Sequence, residues 1–418
     1  MDALIDRNPE TAPDAFDLLV VGGGIYGAAL ALEASRRGLS TLLLERGEFG
    51  GATTANSLRI VHGGLRYLQG LDLPRFRESV GERRWFLRSF PDLIEPLPCL
   101  MPLHDPPRGG GLRRPGIFRL ALAANDLLAG AGGGLPRGRV LGIAETVELF
   151  PAVDRNGLRG GALWHDAVAP DIERLVVEIL HRACGFGARA LNRVEAVDLR
   201  VDRRRVTGVR AVDLESGRGF EWRARAVVNC AGPWSRGLAR RFDRDLPGLF
   251  RPVLGFNLLL DREPPSRAAL AVASREPGAQ TWFLLPWKGR LLAGTAYVPA
   301  RGEPGATRPE DPEEARIEDF LRALNAALPG FGMRREEVLR VHAGWLPAVA
   351  EGSATPASRP VIHDHGRAGG PEGLVSVSGV KFTTARAVAE SALRLLLRRG
   401  LVRFPERLHP PLAREEAA

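Results

Sequence analysis

Apolar residues in this chain gather into short runs, spaced by glycine-rich turns and charged stretches. Residues 16–21 (FDLLVV) are nearly all apolar, as in a parallel strand buried on both faces, which lacks polar/apolar alternation. A helix of small residues follows, then a second apolar strand ending at Glu45, so residues 16–48 read as one β-α-β unit. Residues 1–15 read as a flexible leader, and residues 49–70 are rich in Gly, Thr and Ser. Residues 74–90 place Phe76, Val80 and Leu87 near one face of a helix and arginines on the other. Residues 105–116 (DPPRGGGLRRPG) read as a loop, residues 117–129 as an apolar helix, and a further gap ends near Arg139.

Residues 171–184 read as a helix with an acidic first turn. Strands are expected at 188–191, 195–199, 206–214 and 220–229, with ESGR as a turn. Residues 250–300 are rich in strand patterns. Within them, 281–286 and 290–297 form a hairpin across Trp287, Lys288 and Gly289. Residues 312–328 read as an amphipathic helix with an acidic start. Residues 374–378 read as a last strand, followed by a final helix over 384–399. No internal repeat stands out.

Composition narrows the class. With 418 residues, 44% hydrophobic and 26% charged, the chain can bury a large core as two intertwined globular domains. Its start, MDALIDRNPE, lacks the basic-then-apolar pattern of a signal peptide, and no apolar run is long enough to span a bilayer. A cytoplasmic location is the expectation. Cys99, Cys184 and Cys230 are far apart and match no zinc spacing, so they read as small hydrophobes and no metal is expected. The net charge is +9, yet Lys288 and Lys381 are the only lysines among 58 Lys and Arg residues. The arginines are dispersed among acids rather than drawn into a stripe, which argues against nucleic acid. In such a chain a lysine can mark a place where a guanidinium does not serve.

The first unit carries dinucleotide chemistry. In GGGIYG, Gly22 permits a tight turn, Gly24 lets the backbone approach a pyrophosphate, and Gly27 lets the helix pack close to the sheet. The helix N-terminus directs N–H groups at phosphate, and Glu45 can accept from ribose hydroxyls. These residues leave NAD and FAD equally open.

Three later segments discriminate: ATTANSLRIVHGGLRYL (52–68), NCAGPWS (229–235) and SVSGVKFTTAR (376–386). In this order they resemble the FAD-dependent glycerol-3-phosphate dehydrogenase family, within the D-amino-acid-oxidase-like flavoproteins. The resemblance runs from about Asp17 to about Glu390, and HGGLRYL and KFTTAR are its most specific words. It implies an α/β fold: a Rossmann-like FAD-binding domain with a parallel sheet and β-meander, plus an α+β substrate domain built on an antiparallel sheet. The expected boundaries give residues 1–80, 150–240 and 340–418 to the FAD domain and residues 81–149 and 241–339 to the substrate domain.

The resemblance implies FAD as cofactor, with Gly22, Gly24, Ile25, Gly27, Glu45 and Arg46 on its ADP half. Thr53, Thr54 and Ser57 would lie along the pyrophosphate and ribityl chain, Val194 near the adenine, and Ala231 and Gly232 along the dinucleotide. Gly63, Gly64 and Leu65, with Gly379, Lys381, Phe382 and Thr383, would approach the flavin. A helix starting near Thr383 would aim its positive end at the flavin pyrimidine, where charge accumulates on reduction. The implied reaction passes a hydride from a secondary alcohol, such as glycerol 3-phosphate or a related polyol or sugar derivative, to flavin N5. Quinone or oxygen would reoxidise the flavin. Amine, amino-acid or hydroxy-acid oxidation on the same fold, and a non-catalytic flavoprotein, remain open.

His62 is the candidate base, since a neutral imidazole can take the hydroxyl proton; a histidine hydrogen-bonded into a packed turn is the alternative. Lys381 is the second catalytic candidate, which the resemblance places near the substrate phosphate. Arg59 and Arg66 flank His62 as candidate ligands of cofactor phosphate or an anionic substrate, or as solvated charges. Lys288 reads as a turn residue. Three departures touch the substrate side. Where the family has G-x-R-P, this chain has HAGWLPA (342–348), with Leu346 at the arginine position. A leucine cannot make charge-assisted bonds to phosphate. GTAY ends in Tyr297 where the family has an acid, and full-length members continue into a helical C-terminal domain while this sequence ends at Ala418. Tyr297, His342 and Trp345 therefore suggest a more aromatic substrate pocket, with His342 a weaker candidate base or a structural histidine. Residues 108–130 pair a basic loop with an apolar helix, which can rest on anionic headgroups at the inner membrane face or pack as a core helix.

Overall fold

The computed structural model describes residues 5–65, 67, 71–105, 119, 122, 123, 135–273, 280–300, 304 and 311–405. Most of the expected apolar helix at 117–129 and of the loop before it, and Arg66, lie outside the described residues.

Two sheets organise the chain. The first runs in the order Val361–Asp364, Leu374–Ser378, Gly219–Asn229, Ala15–Val21, Thr41–Glu45, Arg189–Asn192. All its joints are parallel except that of the edge strand Val361–Asp364. Central strands here have no solvent face. Leu18 and Val20 enter one core under the helices, while Leu19 and Val21 enter another beneath the meander. The meander joins Val194–Asp202, Arg205–Asp213 and the start of Gly219–Asn229, all antiparallel. That last strand serves both parts. Its residues alternate exposed and buried from Glu221 to Arg225, then are buried continuously from Ala226 to Asn229, where it joins the parallel sheet.

The second sheet runs Val338–Pro347, Pro252–Leu260, Arg290–Pro299, Trp282–Trp287, Ala269–Val272, Glu95–His104, Leu158–Val168, Ile60–Val61, with Arg139–Leu141 added beside Leu158–Val168. It is antiparallel apart from one parallel joint, Ala269–Val272 with Glu95–His104. The helix Glu314–Ala327 packs Ile317, Phe320, Leu321 and Leu324 onto one face.

The expected boundaries need correction at three strands. Ile60–Val61, Leu158–Val168 and Val338–Pro347 belong to the second sheet, although the ranges 1–80, 150–240 and 340–418 assign nearly all of them to the first. Leu158–Val168 pairs along the whole of Glu95–His104, and Val338–Pro347 along Pro252–Leu260, so their backbone groups are satisfied there. The helix Leu73–Ser89 crosses between the two halves, giving Phe86 to the first core and Phe76 and Val80 to the second. Residues 5–14 are not a loose leader either. Asp6 pairs with Arg189 at 2.7 Å, and Asn8 caps the turn Pro9–Thr11. Among the described residues no helix is long and apolar enough to cross a membrane. Cys99 and Cys230 are buried, Cys184 is half-buried, and all three are free.

Three helices on one face of the first sheet are tied together by buried charge. Glu33 and Arg37 lie on Ile25–Ser35 and just past its end, Glu390 and Arg386 on Ala385–Arg398, and Glu82 on Leu73–Ser89. Arg37 pairs with Glu33 and reaches Glu390 at 3.3 Å; Arg386 bridges Glu390 at 2.8 Å and Glu82 at 2.6 Å. Glu33, Arg37, Glu82 and Glu390 are each at most 3% exposed. Removing one member of such a chain leaves its partners buried and uncompensated. Arg37→Met should therefore cost about 3–5 kcal/mol, read as a lowered denaturant midpoint. Burial pushes the Glu82 carboxyl up from 4.5 to about 7, against the charge and hydrogen bond of Arg386. A raised carboxyl stabilises the fold fully below its unfolded value, and that contribution is lost as pH rises through its folded value. Between pH 4.5 and about 7 the wild type should lose this increment. Glu82→Gln should flatten the midpoint-against-pH curve over that window.

Candidate active site

The glycine run is shaped by contact as much as by conformation. Gly22 has φ +110°, and a Cβ there would stand 2.4 Å from the Cys230 carbonyl oxygen. A Cβ on Gly27 would stand 1.8 Å from the Gly22 carbonyl oxygen, so only glycine allows the helix to meet the first strand this closely. At Gly24 the position of a Cβ is open except for Thr54 Oγ1 at 3.5 Å. That open side faces a cavity of about 520 Å³, within the range of small-molecule sites.

Thirteen of the sequence-assigned cofactor residues line it: Gly22, Gly24, Ile25, Glu45, Arg46, Thr53, Thr54, Ser57, Val194, Ala231, Gly232, Gly379 and Phe382. The Glu45 carboxylate accepts from Gly23 N–H at 2.6 Å and Gly47 N–H at 2.7 Å, and burial pushes its pKa upward. Thr54 Oγ1 accepts from Ile25 N–H at 3.2 Å, which places the 50–57 segment against the helix start. Arg46 stacks over Trp234 at 4.5 Å, and both border the cavity. Ser57 also lines it, and its buried Oγ has no hydrogen-bond partner among the described residues. The glycine cradle, the long cavity and this orphaned hydroxyl fit an extended dinucleotide.

The remaining assigned residues act behind or beside the cavity. Gly27 packs under Gly22. A Cβ on Gly63 would meet the Arg83 guanidinium at 1.9 Å, and one on Gly64 would meet Ser79 at 2.8 Å, so the double glycine admits the helix Leu73–Ser89. Leu65 and Thr383 are buried. His62 Nδ1 lies 3.3 Å from Asp166 Oδ2. Asp166 also accepts from Gly63 N–H at 2.7 Å, Arg83 at 2.8 Å and the Trp164 indole at 3.2 Å. Burial alone would raise its carboxyl, but the His62 contact, the Arg83 charge and the Gly63 N–H outweigh it and hold it at about 2.

Lys381 begins the turn Phe382–Thr384 that leads into Ala385–Arg398. Tyr26 holds its main chain from both sides: the hydroxyl donates to the Lys381 carbonyl at 2.6 Å and accepts its N–H at 2.9 Å. Gly379 makes room for this, since a Cβ there would sit 1.9 Å from the Tyr26 ring. The Lys381 ammonium lies 4.3 Å over the ring of Tyr67, five residues beyond His62, so the HGGLRY and KFTT segments meet. Phe382 stacks on Phe86 at 5.4 Å.

The sequence model of one family, described as FAD dependent oxidoreductase (DAO), matches residues 17–395. The chain belongs to this family. A mitochondrial glycerol-3-phosphate dehydrogenase of Arabidopsis thaliana is 32% identical over 408 residues, covering 93% of this chain and 62% of its own length. The glycerol-3-phosphate dehydrogenase of Synechocystis sp. is 30% identical over 401 residues, covering 91% of this chain and 70% of its own. The chain thus spans less than two thirds of the Arabidopsis relative. In fold it is similar to the glycerol-3-phosphate dehydrogenase of Bacillus halodurans complexed with FAD. The TM-score is 0.69 at 24% identity, over 95% of this chain and 67% of that one.

In this member of the family, several of the residues expected on the substrate side are turned to scaffold work. Arg59, expected as an anion ligand, is buried. It donates to the Ser57 carbonyl at 2.9 Å and the Ala55 carbonyl at 3.2 Å and lies 4.2 Å over Trp287. Its guanidinium is thus engaged by loop carbonyls and an aromatic face rather than held open for an anion. Trp345, expected in an aromatic pocket, borders the cofactor cavity but packs against the second core, while its carbonyl accepts from Thr53 at 3.0 Å. His342 is buried edge-on against Trp287 at 5.8 Å. Tyr297 and Leu346 do come together. They approach Gly255 from neighbouring strands, where a Cβ would meet Leu346 Cδ1 at 2.6 Å and the Tyr297 ring at 3.3 Å. Lys288 sits at a positive φ of 51° in the hairpin turn before Gly289, as a turn residue does.

Asp166 and Arg83 lie in no motif, and Tyr26 and Tyr67, though inside GGGIYG and HGGLRYL, were assigned no role. The signal for Asp166 was an acid at a buried position of its strand, in line with Trp164 and Val168. Tyr26→Phe should destabilise the protein by about 1–3 kcal/mol, because Lys381 N–H and C=O lose their shared partner. It should also lower flavin bound per chain. Denaturant unfolding and the visible flavin absorbance check both.

Proposed function

We propose that the chain oxidises a secondary alcohol of the glycerol 3-phosphate kind, or a related polyol or sugar derivative, to the ketone. One arrangement carries this reading. His62, backed by Asp166, stands on the segment that also places Tyr67 under the Lys381 ammonium. FAD, when bound, supplies the acceptor for the hydride leaving the alcohol carbon. His62 takes the hydroxyl proton, and a base so placed contributes about 10²–10⁴ in rate. Lys381 offers N–H donors to an anionic or hydroxyl group of the substrate. The names of the two relatives, both glycerol-3-phosphate dehydrogenases, support the substrate class. The electron acceptor in this reading is a quinone or dioxygen.

A second reading rests on Gly255. Tyr297 and Leu346 cover it with phenol and methyl groups, a surface suited to an uncharged substrate end. It favours a polyol, hydroxy acid or amine over a phosphate ester.

Anaerobic bleaching of the bound flavin by a substrate panel tests both. Bleaching by glycerol 3-phosphate selects the first reading; bleaching only by unphosphorylated hydroxy acids, polyols or amines selects the second. His62→Gln should slow substrate-driven bleaching about a hundredfold, with flavin content unchanged. An undiminished rate removes His62 as the base.

A further inference from the structure

We propose that Asp166 is the positioning residue of His62: it fixes the neutral imidazole as the Nδ1–H tautomer and so makes Nε2 the proton acceptor. The inference rests on the reading of His62 as the base. Its warrant is a count of lone pairs. An ionised carboxylate offers about four acceptor sites and no donor. Asp166 meets four partners: Gly63 N–H and Arg83 on Oδ1, the Trp164 indole and His62 Nδ1 on Oδ2. The first three can only donate. With the carboxyl held at about 2, it has no proton to give His62 at neutral pH. A lone pair on Nδ1 would then face a lone pair on Oδ2, so Nδ1 carries the hydrogen and Nε2 is left to accept.

Burial makes the arrangement firm. Asp166, Arg83 and Trp164 are each at most 4% exposed, while the His62 side chain is 43% exposed and leans on Phe283 with ring centres 5.1 Å apart. The His62 contact is the longest of the four, as suits the one partner that is not buried. Arg83 already pairs with the Asp166 charge at 2.8 Å. In the step itself the substrate O–H bond breaks, its proton joins Nε2, and Nδ1–H stays on Asp166. The carbon's hydrogen leaves as hydride, for which bound FAD would be the acceptor, and the ketone remains.

Asp166→Asn gives a directional outcome. Its amide oxygen must serve the two stronger donors, Gly63 N–H and the Arg83 guanidinium, which turns the NH₂ toward His62 and leaves the Trp164 indole without an acceptor. Nδ1 must then accept, the ring switches to the Nε2–H tautomer, and the acceptor facing substrate is lost. The same logic accounts for the loss caused by an Asp→Asn change behind a serine-protease histidine.

The experiment is ¹⁵N NMR of histidine-labelled holoenzyme, with the His62 signals assigned by their disappearance in His62→Gln, alongside anaerobic flavin reduction by the best substrate of the panel. The wild type should show neutral His62 protonated on Nδ1. Asp166→Asn should move the proton to Nε2 and slow reduction about a hundredfold, with flavin content retained. A wild type protonated on Nε2 overturns the proposal, even if Asp166→Asn does not fold. So does an Asp166→Asn protein with unaltered tautomer and rate. Should His62→Gln reduce flavin at the wild-type rate, the base reading fails, and the wild-type tautomer still shows whether Asp166 orients the ring.

Discussion

The hydroxyl of Tyr26 is the point on which the site turns. One side chain, on the first helix after the glycine run, holds both polar groups of the Lys381 main chain, 355 residues away. Because a hydroxyl can donate and accept at once, a single oxygen satisfies both, and burial raises the phenol to a pKa of about 12, keeping it protonated for that role. The turn that carries Lys381 and Phe382 is thereby registered against the helix whose start borders the dinucleotide cavity. Gly379 is the price of that contact, since any side chain there would occupy the ring's place.

The cofactor side and the substrate side are built by different means, and this decides how far each could be read from sequence. Main-chain approach shapes the cofactor side. Gly22 and Gly27 are visible as letters because only glycine meets these constraints, and the strand Leu374–Ser378 was legible to the residue from its apolar run and its Gly-rich exit. The substrate side depends on side chains meeting across strands, and no local pattern announces such meetings. His62 and Asp166 are 104 residues apart. Arg59 looked available beside His62, yet its neighbours in space are loop carbonyls and Trp287. Trp345 looked like part of a pocket, but alternation along its strand turns its ring to the opposite core from His342 and Leu346.

The strand Glu95–His104 shows the same limit in another form. It contains Pro96, Pro98 and Pro102, which argue against a strand inside a sheet. All three fall at even positions, so their missing N–H groups lie on one edge. Continuous pairing runs along Leu158–Val168 on one side, while the other side meets only Ala269–Val272, at Cys99 and Leu100. The prolines are compatible with a central place because one neighbour is short, a fact that no window of local sequence contains. The arginine-rich composition was equally silent about the buried chain from Glu33 to Glu82, since the arginines that matter look like the many that face water.

The strand order of the first sheet has a consequence for how the protein is made. Ala15–Val21 has Thr41–Glu45 on one side, available at once, but its other neighbour is Gly219–Asn229, which in turn needs Leu374–Ser378. On a ribosome moving at roughly 5–20 residues per second, the first strand waits about 10–40 s for its second neighbour and longer still for the turn that Tyr26 grips. During that interval Leu18 to Val21 form one lip of an unfinished, strongly apolar edge. A nascent chain has no complete dinucleotide cavity until Phe382 has been synthesised, so cofactor capture must follow both sheets, and chaperone protection must precede it.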